Sequence, residues 1–124
     1  MSVDLASCVL VVDETPSLGD VLANALEREC CAAQVAASTS HALALARERK
    51  PDLIIINLVS PSDLLGPLTA DPRLRGTPVI LIAAGPHETE CTTSASVVRV
   101  FSKPFYLSDV VAAAIEALGR VARP

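Results

Sequence analysis

Apolar residues fall along this chain in two rhythms. Cys8 to Val12 (CVLVV), Leu53 to Ile56 (LIII) and Val79 to Ala83 (VILIA) are short unbroken runs rich in Val and Ile. Runs of that length without polar alternation predict strands buried on both faces, as in a parallel sheet. After the first run the period changes. Leu18, Val21, Leu22, Ala25 and Leu26 recur at helical spacing as far as Glu29, behind Pro16 and Ser17, with Thr15 placed to cap the helix. Gln34 to Ala37 predicts a weaker strand. Ser38 to Ser40 then cap a second helix that passes Leu43, Ala46 and Arg49 and is stopped by Pro51.

Beyond LIII, Ser60-Pro61-Ser62 predicts a turn, and Asp63 to Ala70 a short helix that Gly66 and Pro67 make irregular. Asp71 to Gly76 reads as a loop into the fourth strand. Gly85 to Ser96 (GPHETECTTSAS) is polar with little helical period, so any helix there is short or frayed. Val97 to Phe101 is the fifth strand, and Ser108-Asp109 cap a final helix bearing Val110, Val111, Ala114, Ile115, Leu118 and Val121.

Five strands alternating with about five helices predict an α/β fold: a doubly wound, five-stranded parallel sheet with right-handed crossovers and helices on both faces. The economical strand order is 2-1-3-4-5. A site in such a sheet lies beyond the carboxyl ends of the strands, where strands one and three diverge. Asp13, Glu14 and Asn57 end those strands, and Lys103 follows strand five. The 124 residues suit one domain, with its core over about 7–119 and 120–124 as a tail or the start of a linker.

Composition narrows the function. A hydrophobic fraction of 51% with two Phe, one Tyr and no Trp makes the core aliphatic. The net charge of −4 is spread out with no Lys/Arg run, which argues against nucleic acid as a direct partner. Without a long apolar segment or a basic, apolar start, no membrane partner is expected and the location expected is cytoplasmic. Cys8, Cys30, Cys31 and Cys91 form no CxxC pair and have no His at a zinc-site spacing, so no metal site is expected of them; in a reducing cytoplasm all four are expected to be free thiols, with Cys8 a small buried hydrophobe. His41 and His87 stand in cap and loop contexts and read as surface residues.

VLVVDETPSL (Val9 to Leu18), RKPDLIIINLVSP (Arg49 to Pro61), DPRLRGTPVILIAA (Asp71 to Ala84) and FSKPF (Phe101 to Phe105), in this order and spacing, resemble the receiver domain of bacterial response regulators over essentially the whole chain. The resemblance implies a flavodoxin-like sheet. It also implies that an acidic pair after strand one and an aspartate ending strand three hold Mg²⁺, the aspartate taking a phosphoryl group as a carboxylate nucleophile. Asp13 and Glu14 match the pair, but Asn57 stands at the acceptor position, and a carboxamide cannot form an acyl phosphate. The hydroxyl that ends strand four in the family falls on Ala83, and the switch aromatic falls on Val100. Lys103-Pro104 matches the family's lysine and proline, and the resemblance implies a cis peptide between them.

A degenerate receiver is therefore expected: not an enzyme, without a cofactor, and with Mg²⁺ bound weakly at most by Asp13 and Glu14. Asp13 and Glu14 also read as anions at the first helix N-terminus, Lys103 as their counter-ion, and Asn57 as a neutral spacer hydrogen-bonded to Lys103 and the pair. The expected partner is a signalling protein, or a second copy, meeting the 85–96 segment, the fifth strand and the final helix. Two alternatives stand beside this reading. One is an unconventional phospho-switch using Ser60, Asp63 or deamidated Asn57; the other is a small-ligand sensor in the cleft.

Overall fold

In a computed structural model the described residues are 7–29, 31–58, 60–83 and 96–119. They form β1 (Cys8–Asp13), α1 (Pro16–Glu27), β2 (Ala32–Ala36), α2 (Thr39–Glu48), β3 (Leu53–Asn57), α3 (Ser62–Ala70), β4 (Val79–Ala83), β5 (Val97–Ser102) and α4 (Leu107–Ala117). The strands make one parallel sheet in the order β2-β1-β3-β4-β5. The unbroken apolar runs are its centre, since every residue of β1, β3 and β4 is buried. The fifth expected helix belongs to 85–96, of which only Ser96 is described.

Alternation along the strands divides the core into two halves. Leu10, Val12, Ile54, Ile56 and Leu81 face α2 and α3, where Ala42, Ala46, Leu64 and Leu68 cover them. Val9, Val11, Leu53, Ile55, Ile80 and Ile82 face α1 and α4, under Leu22, Leu26, Val110 and Ala114. By the same alternation Asp13 follows Val9 and Val11, and Asn57 follows Leu53 and Ile55, onto the α1 side. The two are also register partners on neighbouring strands.

Several boundaries differ from the sequence expectation, each for a local reason. β2 spans Ala32–Ala36 rather than Gln34 to Ala37; it is an edge strand of small, half-exposed residues with little hydrophobic contrast to mark its ends. Ser108 and Asp109 lie in the first turn of α4 instead of capping it, because the helix already begins at Leu107, whose side chain packs on the α1-side core. Val21 is 49% exposed despite its place in the helical pattern of α1. β5 carries an irregularity: Val79 pairs with Val97 and Ile80 with Arg99, leaving Val98 as an extra residue. That insertion lets Val97 and Val100 pack on one half of the core and Phe101 on the other.

Ser38 caps α2 as its position suggests, its hydroxyl accepting the His41 N–H at 3.1 Å. Thr15 is the N-cap residue of α1, with Pro16 next, yet its side chain makes no capping bond to the helix. Its hydroxyl is turned back toward Asp13.

Candidate functional site

Asp13 is 0% exposed at the end of β1 and Asn57 is 8% exposed at the end of β3. The Asp13 carboxylate accepts four hydrogen bonds. At Oδ1 the donors are the Thr15 N–H at 2.9 Å, the Thr15 hydroxyl at 2.9 Å and the Asn57 Nδ2 at 2.9 Å. At Oδ2 the donor is the Gly19 N–H, in the second half-turn of α1. The chain itself supplies this arrangement. β1 delivers the carboxylate directly beneath the N-terminus of α1, where backbone amides lack partners and the helix dipole favours an anion.

The remaining positions read from the sequence lie on other strands and loops. Glu14 is exposed on the loop between β1 and α1. Ala83 ends β4, buried, and its carbonyl accepts the Lys103 N–H at 3.1 Å. Val100 packs half-buried on the α2 and α3 side. The Lys103-Pro104 peptide is cis.

The lysine departs from the sequence reading. Its side chain is exposed and, among the described residues, makes no ion pair or hydrogen bond, so it is not the counter-ion of Asp13 and does not meet Asn57. Neutral donors within six residues of Asp13 reach it first. Backbone amides fixed by a helix cost no side-chain entropy to hold in place, whereas a lysine ammonium at the end of four methylenes does.

The family's Mg²⁺ needs oxygen donors in an octahedral array. Here Asp13 Oδ1 already accepts three hydrogen bonds and Oδ2 one, and Asn57 turns its NH₂, a donor, toward the site. Among the described residues no three His, Cys, Asp or Glu side chains gather in a metal-holding group. Where the family has a third carboxylate, this site therefore presents an amide donor.

A second feature lies away from the strand ends. A groove of about 860 Å³ runs between α1 and α4, lined by Ala25 and Arg28 on one side and by Leu107, Val111, Ala112 and Ile115 on the other. The broad apolar stripe of α4 was the signal for it. That α1 forms the opposite wall was not readable, since the sequence does not say which helices are neighbours.

The response regulator receiver domain family matches residues 9–115. The chain belongs to that family. This receiver is 35% identical over 80 residues to the DNA-binding response regulator MtrA of Mycolicibacterium smegmatis, a match covering 61% of the chain and 34% of MtrA, so the matched region spans about a third of that relative. Its fold is shared with the non-phosphorylated HemR receiver domain of Leptospira biflexa, at a TM-score of 0.77 and 22% identity over 94% of this chain and 97% of that one. The signal receiver domain of a histidine kinase from Syntrophus aciditrophicus gives 0.79 and 23% identity over 95% and 94%. Vibrio cholerae CheY4 gives 0.78 and 18% over 90% and 98%. The described helices of the receiver include none long and apolar enough to cross a membrane.

Proposed function

We propose that this receiver signals through protein contact alone, without taking up a phosphoryl group. The observation that carries the reading is the bond from Asn57 to Asp13. The acceptor position holds a carboxamide, and that carboxamide serves as a hydrogen-bond donor to the first residue of the acidic pair. Ala83 offers no hydroxyl to a phosphoryl oxygen and Val100 no ring to reorient. Ser60 and Asp63, the substitute acceptors, are exposed at the start of α3 and bonded to each other through their backbones.

The contact surface we assign is centred on the α1 and α4 groove, with the exposed edge of β5 as a second region. Val111 and Ile115 face the groove, while Arg28, Glu29 and Glu116 at its margins supply charge of both signs, which suits a protein surface better than a nucleic acid backbone. The DNA binding in MtrA's name belongs to a protein of which this chain matches a third.

The test is intact-mass spectrometry after incubation with Mg²⁺ and a small phosphodonor. An unchanged mass is expected. A stoichiometric adduct of about 80 Da, on any residue, would overturn the reading.

A further inference from the structure

Gly19 sits in α1 where the helix crosses both Asp13 and β2. Glycine is a poor helix former, and apart from Pro16 at its first position the rest of α1 is built from better ones, so its presence in the first turns calls for a reason. Close approach supplies it. A Cβ at position 19 would stand 2.9 Å from Val35 Cγ1, 3.2 Å from Asp13 Cβ and 3.3 Å from Asp13 Oδ2. Gly66, Gly76 and Gly119 have open space where a Cβ would go. Gly19 therefore differs from every other described glycine: it is buried against two strands at once, and its own amide is the donor to Asp13 Oδ2.

We propose that Gly19 is the positioning residue that holds the acidic end of this cleft closed. Its missing Cβ lets α1 settle onto β1 and β2 together, and at that distance the helix amide captures Oδ2. Thr15 and Asn57 saturate Oδ1 from the other side. A divalent cation recruiting Asp13 would compete with these donors for the carboxylate charge, and α1 cannot rise from the carboxylate without losing its packing on Val35. The inference deepens the phosphorylation-independent reading by naming what withholds Asp13: the fit of a helix to two strands, in addition to the absent aspartate at position 57. The same fit would act whichever residue stood there.

The test separates these two causes. In the unaltered protein, the Gly19 amide proton is expected far downfield in the NMR spectrum and unmoved by millimolar Mg²⁺; displacement by Mg²⁺ would overturn the proposal. Mg²⁺ affinity is then compared in Asn57→Asp, in Asn57→Asp with Val35→Ala, and in Asn57→Asp with Val35→Ala and Gly19→Ala. Removing the Val35 methyls gives the new Cβ room on the β2 side, so the triple variant keeps its fold while the Cβ presses on Asp13. The triple variant is expected to bind Mg²⁺ at least about tenfold more tightly than the other two. Equal affinity in all three would show that Gly19 withholds nothing, and would leave the mass-spectrometric test of the unaltered receiver standing. A phosphoryl adduct in that earlier test would sink the functional reading without changing this comparison.

Discussion

Asn57 Nδ2 donates to Asp13 Oδ1 at 2.9 Å, a bond between register partners on adjacent buried strands. A family built around two carboxylates at these positions would here have like charges in contact. The amide converts that repulsion into an attraction and needs no cation to do so.

Asn57→Asp should therefore destabilise the receiver more than Asn57→Ala in the presence of a chelator. Alanine loses one charge-assisted hydrogen bond, worth about 1–2 kcal/mol, whereas aspartate loses it and sets a second anion against Asp13, for about 2–4 kcal/mol. Urea denaturation of the three proteins ranks them. A milder effect from aspartate would mean that the bond is not what joins the strand ends.

Asp13 and Lys103 should behave oppositely on truncation. Asp13→Ala leaves the Gly19 and Asn57 donors buried without an acceptor and removes the anion beneath α1, a loss of about 3 kcal/mol. Lys103→Ala removes an exposed side chain with no described partner and should fall within about 0.5 kcal/mol of the parent. If Lys103→Ala costs as much as Asp13→Ala in thermal or urea unfolding, the counter-ion reading returns.

Strand existence, sheet order and the placement of Asp13, Glu14 and Asn57 at the strand ends were legible because continuous apolar runs between helical periods admit few other folds. What the runs could not show is which face each residue takes: a strand buried on both sides has no polar alternation to reveal it. The pairing of Asp13 with Asn57 on the α1 side thus emerged only with the helices in place. The place of Lys103 is hidden in the sequence for a related reason. Charge alone suggested an ion pair, and the competing donors were backbone amides, which every residue but proline carries and no sequence advertises. Gly19 leaves a trace, a glycine early in a helix, but Leu18 and Leu22 already account for the pattern around it and hide its role.

Cys8 gives a test of the β1 packing that is independent of the cleft. Its thiol is 6% exposed, and burial holds its pKa above the ordinary thiol range; the Arg49 charge opposes this and Asp52 adds to it. In the window between the two pKa values the unfolded chain releases a proton that the folded one keeps. Stability from this group is therefore full below the ordinary thiol value, 9.0, and is lost as pH rises toward the folded one. Cys8→Ala should flatten that alkaline decline, and thiol reagents should modify Cys8 of the folded receiver far more slowly than a model thiol. Rapid modification under native conditions would mean that the start of β1 opens readily.

The contact surface yields the last prediction. Val111 and Ile115 are half-buried, packing partly on the α1-side core, while Ala112 between them is exposed; all three line the groove. A glutamate at Ala112 meets open solvent and keeps a good helix former, so Ala112→Glu should fold as the parent does. Val111→Glu and Ile115→Glu give up apolar contacts and are informative only where circular dichroism and melting stay native. A stable protein contact buries about 800 Å² on each side and concentrates its energy in a few central apolar residues, so one charge placed at the middle of the groove should lower affinity by tenfold or more. Self-association by sedimentation and partner capture from native cells measure it. Lys103→Ala is the matching control for the strand-end cleft, since it alters exposed charge there without disturbing Asp13. Loss of binding in the groove variants with full binding by Lys103→Ala supports the groove. The reverse pattern, with folded groove variants binding undiminished and Lys103→Ala failing, would move the interaction to the strand ends and remove the reason for assigning this receiver a contact surface between α1 and α4.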